Sequence, residues 1–171
     1  GIAIAIIIGA LISWAGSDGG DRFGMVPVFA LCGALGFAVN WAAFIPAAIK
    51  QTEHYYDLTG GITYITVVVV AVLLSSPLDL RSALVAGMVL FWSIRLASFL
   101  FLRIHRAGSD RRFDEVKQDF GQFLIAWTLQ ALWVFLTLCC ALAAITAVEG
   151  RPLGAWAAVG AVIWGIGFGI E

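Results

Sequence analysis

The sequence predicts an all-α fold: a polytopic transmembrane bundle of about six helices. Three observations predict it. Hydrophobic residues make up 61% of the 171 positions, with a mean hydropathy of +0.97. Charged residues make up only 12%, about half the roughly 25% that a soluble domain uses to coat its surface. Apolar runs close to the roughly 20 residues of a spanning helix recur six times. Together they place the outer surface of the chain in lipid rather than water.

The six segments are taken in order. The first, about 1–15 (GIAIAIIIGALISWA), is short. The second, about 25–49, contains Pro27 and Pro46, which neighbouring helices tolerate in a membrane. The third, about 61–76 (GITYITVVVVAVLLSS), is short enough to suggest a thin crossing or a start further upstream. Its β-branched run 67–70 is read as helix, because a lone strand cannot satisfy its backbone in lipid. The fourth runs over about 80–103, the fifth over about 120–148, and the sixth over about 153–170. The chain opens on Gly1, already apolar, and Glu171 directly follows an apolar run. Residues 1–171 therefore read as one transmembrane domain, truncated at both ends.

Several function classes are excluded early. The formal net charge is −1, and no basic stripe interleaves with exposed aromatics, so no nucleic-acid partner is expected. Cys32, Cys139 and Cys140 lie in apolar runs and read as small packing residues, so no metal site is expected. His54 and His105 are isolated, and no HExxH, CxxC or GxSxG pattern occurs, leaving hydrolase and zinc readings without support.

The loops give the bundle two sides. Residues 103–118 carry Arg103, Arg106, Arg111, Arg112 and Lys117, half of all Lys and Arg in the chain. The positive-inside rule places this loop in the cytoplasm. By alternation the 50–60 loop, the N-terminus and Glu171 share that side. The localisation expected is thus an integral membrane, bacterial inner or eukaryotic endomembrane, with both polar loops cytoplasmic.

Polar residues inside the apolar segments are the candidates for chemistry. Arg95 lies about 12 Å deeper along its helix than Arg103, where an Arg costs about 2.5 kcal/mol or more. The helical period aligns Arg95, Phe99, Leu102, Arg103 and Arg106 on one face. That stripe reads as a slot for an anionic ligand, or as an Arg snorkelling or paired with a carboxylate such as Asp57. Asn40, Gln122 and Gln130 read as amides bonding between helices. Asp57 and Tyr64, seven apart, share a helical face. A half-buried carboxyl beside a tyrosine can donate a proton or hydrogen bond to a substrate oxygen. Asp57 reads equally as a helix cap, with Gly60 and Gly61 as the turn.

Taken together, QTEHYYDLTGGITY and WSIRLASFLFLRIHRAGSDRRFDEVK resemble the steroid 5α-reductase superfamily, closest to its large, uncharacterised, mainly microbial branch (a domain of unknown function). The pattern T-E-x-x-Y-D-L-T-G falls at 52–60, W-x-x-R-L at 92–96, and R-x-x-x-G-x-D-x-R-F at about 103–113. The resemblance implies a membrane reductase that uses NADPH to reduce a C=C bond conjugated to a carbonyl in a lipid or steroid-like molecule. It implies hydride delivery to the β-carbon while an acidic residue and a Tyr hydrogen-bond the carbonyl. Asp57 matches the acidic position. Arg95 falls in the helix that supplies the family's Tyr, and Tyr64 or Tyr56 stands in for it. The implied catalytic set is Asp57, Tyr64 and Arg95. The 103–112 loop matches the one that closes over NADPH, which assigns Arg103, Arg106, Asp110, Arg111 and Arg112 to the cofactor. The family's C-terminal cofactor motifs would begin after Glu171, so the chain holds the substrate side and part of the cofactor site. Two other readings stand beside it. One is an S-adenosylmethionine-dependent membrane methyltransferase of the isoprenylcysteine carboxyl methyltransferase type; the other is a transporter or structural membrane subunit with unknown partner subunits.

Overall fold

A computed structural model of the chain describes residues 1–76, 78–107, 113–150 and 152–170, with backbone alone at 105–107. Six helices carry it: α1 (Ile2–Gly16), α2 (Val28–Lys50), α3 (Tyr56–Leu74), α4 (Leu80–Ala107), α5 (Phe120–Ile145) and α6 (Ala155–Ile170). The all-α expectation is met. In α2, α3, α4 and α5, stretches of 23, 19, 25 and 26 residues are long and apolar enough to cross a membrane; α1 and α6 are shorter apolar helices. The outward faces are apolar: Ile49, Leu73, Phe91 and Ile163 are all exposed. Such a surface suits a lipid environment.

Two boundaries differ from expectation. The third helix starts at Tyr56, so Gly60 and Gly61 lie inside it rather than in a turn. The 17–27 connection folds into a small antiparallel hairpin, β1 (Arg22–Phe23) with β2 (Val26–Pro27). Pro27 is therefore the cap of α2, and only Pro46 lies within that helix. Gln51, left-handed at φ 49°, ends α2. Asp119 caps α5 by accepting from the Gln122 N–H at 2.8 Å.

α5 is central, packed by α1, α2, α3 and α4. Lipid tails are as apolar as the helices, so the bundle is held by close packing and interhelical hydrogen bonds worth about 0.6–2 kcal/mol each. Asn40 donates to Thr63 Oγ1 at 3.1 Å, Trp41 to Thr128 Oγ1 at 3.1 Å, and Tyr56 to the Ala126 carbonyl at 3.0 Å. Val28, Val67, Val68, Phe135, Leu138 and Leu142 fill the main core. A second, aromatic cluster of Phe44, Phe113, Phe123 and Trp127 seals one end.

The loops sort to opposite ends. At one end Lys117 binds Glu53 at 2.9 Å, joining the α2–α3 turn to the segment before α5. At the other end the Ser76 N–H donates to Asp21, and Ser82 donates to the Ala144 carbonyl. The two loops richest in polar residues thus meet at one end of the bundle.

Candidate functional site

The site is built on the first turns of α3. Two glycines let its neighbours come close. A Cβ on Gly61 would stand 2.5 Å from the Ala97 Cβ, so its absence lets α4 pack directly on the α3 backbone. A Cβ on Gly60 would stand 2.5 Å from Gln130 Nε2. That space admits the Gln130 amide, which donates to the Tyr56 carbonyl at 2.9 Å. The adjacent glycines that read as a turn are packing positions for α4 and α5.

Between α3, α4 and α5 lies a cavity of about 510 Å³, within the range of small-molecule sites. α3 forms its floor with Asp57, Gly60 and Tyr64, while Leu100 of α4 and Leu129 of α5 line its walls. Trp133, also on its wall, is exposed at 66% and Leu129 at 49%. The cavity therefore opens sideways, toward the lipid. It is apolar except at a few points, which is how a site orients an otherwise greasy ligand.

Those points are Asp57, Gln130 and Tyr64. Asp57 Oδ2 accepts from Arg103 Nη2 at 2.8 Å, with side-chain exposures of 19% and 48% respectively. The carboxylate sits in the first turn of α3, where the helix dipole favours negative charge. Gln130 Oε1 is buried, with no hydrogen-bond partner among the described residues. Tyr64 stands edge-on to Trp92, with ring centroids 5.1 Å apart. Its hydroxyl lies 2.6 Å from Thr137 Oγ1. Thr137 can give its one hydroxyl hydrogen to the Trp133 carbonyl at 2.9 Å or that of Val134 at 3.0 Å. With that hydrogen committed, Tyr64 is the donor to Thr137.

Asp57 and Tyr64 are brought together as the helical spacing predicts. Arg95 goes elsewhere: its Nη1 donates to the Phe168 carbonyl at 2.8 Å, and its guanidinium lies 4.4 Å from the centre of the Phe168 ring. Among the described residues, Arg103 pairs with Asp57. Tyr56 spends its hydroxyl on the Ala126 carbonyl. Arg106 lies on the last turn of α4 with its side chain outside the described residues, as are Asp110, Arg111 and Arg112 entirely. Gln130, taken from sequence as an interhelical amide, does bridge α5 to α3, and it also lines the cavity. The signal that would have found it is its tertiary partner, a backbone carbonyl that no sequence motif marks.

Outside the membrane, Glu53 is buried and ion-paired with Lys117. The hydrogen bond that Lys117 donates to Glu53, with the charges of Glu53 and Asp114 adding, raises the Lys117 ammonium above its ordinary 10.5.

The family model described as a protein of unknown function (DUF1295) matches residues 43–171, well over half of the chain. The chain belongs to the DUF1295 family. Neither a curated protein nor a solved structure matches it. Every residue that lines the cavity falls inside the DUF1295 match.

Proposed function

We propose that this chain forms the substrate side of a membrane reductase of the steroid 5α-reductase type, acting on a C=C bond conjugated to a carbonyl in a lipid-borne molecule. One observation carries the reading: an apolar, laterally open cavity holds Asp57 and Tyr64 on one helical face at its inner wall. The sequence resemblance to that superfamily, through its uncharacterised branch, supports it. The positive-inside rule assigns the polar loops to the cytoplasmic side, where a nucleotide is available.

Reduction adds a hydride to the β-carbon, and the enolate so formed takes a proton from solvent at the α-carbon. Tyr64 re-aims its hydroxyl hydrogen from Thr137 to the substrate carbonyl and so stabilises the developing negative charge. Asp57 holds the Arg103 guanidinium beside the cavity and so positions the cofactor that Arg103 would grip, a matter of orientation and not of net charge, since the pair is neutral. The apolar walls strengthen the Tyr64 hydrogen bond.

NADPH is the cofactor this reading requires, and the chemistry of Arg103, the described member of the donor set, suits a phosphate. Arg103 is about half exposed while its Nη2 binds Asp57, and a planar guanidinium has further N–H donors to offer. Arg103 would hold a phosphate with Arg106, Arg111 and Arg112, and Asp110 would meet a donor of the cofactor. NADPH bound there supplies the hydride. The test is reduction of a conjugated enone by the full-length protein in proteoliposomes. Loss of the double bond that depends on NADPH supports the reading; methyl transfer from S-adenosylmethionine instead would replace it.

A further inference from the structure

The cavity has a neighbour with which it shares two wall residues. A second cavity of about 540 Å³ lies between α4, α5 and α6, and Tyr64 and Trp92 line both. Each compartment alone has the volume of a complete small-molecule site, roughly 300–1,000 Å³. Along α4, the walls run from Val89 in the second to Leu100 in the first, eleven residues or about 16 Å.

The two compartments differ in polarity. The first keeps Asp57 and Gln130 Oε1, the latter unpartnered among the described residues. In the second, the hydroxyls of Tyr64 and Thr137 satisfy each other, and the rest of the wall includes Val89, Leu138 and Phe168. Its roof is fixed from outside. Trp164 stacks on Phe168 at 5.1 Å and 20°, and Arg95 holds Phe168 through its carbonyl and its ring. Arg95 therefore braces α6 over the second cavity.

Resting on the reductase reading, we infer that the ligand is a single-chain amphipathic lipid rather than a compact polycycle. Its conjugated carbonyl lies at the Tyr64 hydroxyl, and a hydrogen-donating head group lies at the Asp57–Gln130 end, where both groups accept. Its chain passes the Tyr64–Trp92 waist and runs beneath α6. A compact ring system fills one compartment and leaves the other empty, whereas a linear chain occupies both.

Affinity alone is a poor test, because a chain leaving a bilayer for an apolar groove gains little hydrophobic energy. Position is the better readout. The probe is a linear long-chain α,β-unsaturated ketone with a diazirine at its terminal carbon, photolysed with the full-length protein in nanodiscs and mapped by mass spectrometry. Terminal cross-links are expected at Val89, Leu138 and Trp164, displaced by excess unlabelled ketone. Gly167→Leu fills the second cavity from its roof, where a side chain meets open space. This variant should lose the terminal cross-links, while a diazirine beside the head group still labels Leu129 or Trp133. Terminal labels spread over outward residues such as Ile4 and Ile45, or unmoved by competitor and by Gly167→Leu, would overturn the inference. The cross-links need no turnover, so they stand or fall separately from the NADPH-dependent reduction that tests the reductase reading.

Discussion

Asp57 on α3 and Arg103 on α4 form an ion pair at 2.8 Å, beside the cavity that Tyr64 lines one further stretch of helix inward. The pair is too exposed on the Arg103 side to matter much for stability, about 0.5 kcal/mol. Its value is positional. Asp57→Asn releases Arg103 but leaves its charge, so NADPH affinity should hold while kcat falls roughly a hundredfold. Arg103→Met should weaken NADPH binding as well. Isothermal titration with steady-state kinetics separates the two; equal losses of kcat and cofactor affinity in Asp57→Asn would mark a merely structural pair.

Tyr64 and Thr137 should part on mutation. Tyr64→Phe removes the proposed oxyanion donor and is expected to cost roughly a hundredfold in kcat. Thr137→Val removes only the resting partner of that hydroxyl, so kcat should stay within a few-fold. Similar losses in both would mean that the hydroxyl bond serves packing.

The glycine pair sets helix spacing. Gly61→Val should drive α4 off α3 and destabilise the bundle by roughly 1–3 kcal/mol, read as a lower unfolding temperature in micelles. Gly60→Ala should displace the Gln130 amide from the Tyr56 carbonyl and alter the cavity at smaller cost. An unchanged unfolding temperature for Gly61→Val would contradict the close approach of Ala97.

Alkaline pH should release the loop before α5. The folded Lys117 pKa lies above the ordinary 10.5, so the pair stabilises fully below that value and loses its contribution as pH rises through the folded value. Limited proteolysis at residues 113–119 should accelerate above about pH 10.5 in the wild type. Lys117→Met should loosen the segment already at neutral pH, because the ion pair that ties it to Glu53 is lost. Protection of the segment unchanged in Lys117→Met would remove the clamp from the account.

The same face should prove cytoplasmic. A Glu115→Cys variant, in a Cys140→Ser background, should react with an impermeant maleimide only from the cytoplasmic side. Labelling from outside would invert the assigned topology.

Hydropathy made the helices legible because, in lipid, every stretch of about 20 apolar residues must satisfy its backbone internally. It left the start of α3 open, at about 61 or further upstream, because Asp57, Gly60 and Gly61 are turn residues in water; the helix starts at Tyr56. In this bundle the two glycines instead make room for Ala97 and Gln130. The Asp57–Tyr64 face was legible from a period of seven on one helix. The roles of Gln130 and Arg95 were not, since each binds a backbone carbonyl on another helix, and a carbonyl has no residue type to read. The hairpin at Arg22–Pro27 went unread because two-residue strands carry no alternation.

The most direct test of the reductase assignment is isotope transfer. The full-length protein in proteoliposomes would be given NADPH deuterated at the transferable position and a long-chain enone, and the product analysed by mass spectrometry and NMR. The account predicts one deuterium at the β-carbon, abolished in Tyr64→Phe and strongly reduced in Asp57→Asn. Recovery of unreduced enone, with both variants indistinguishable from wild type, would contradict it.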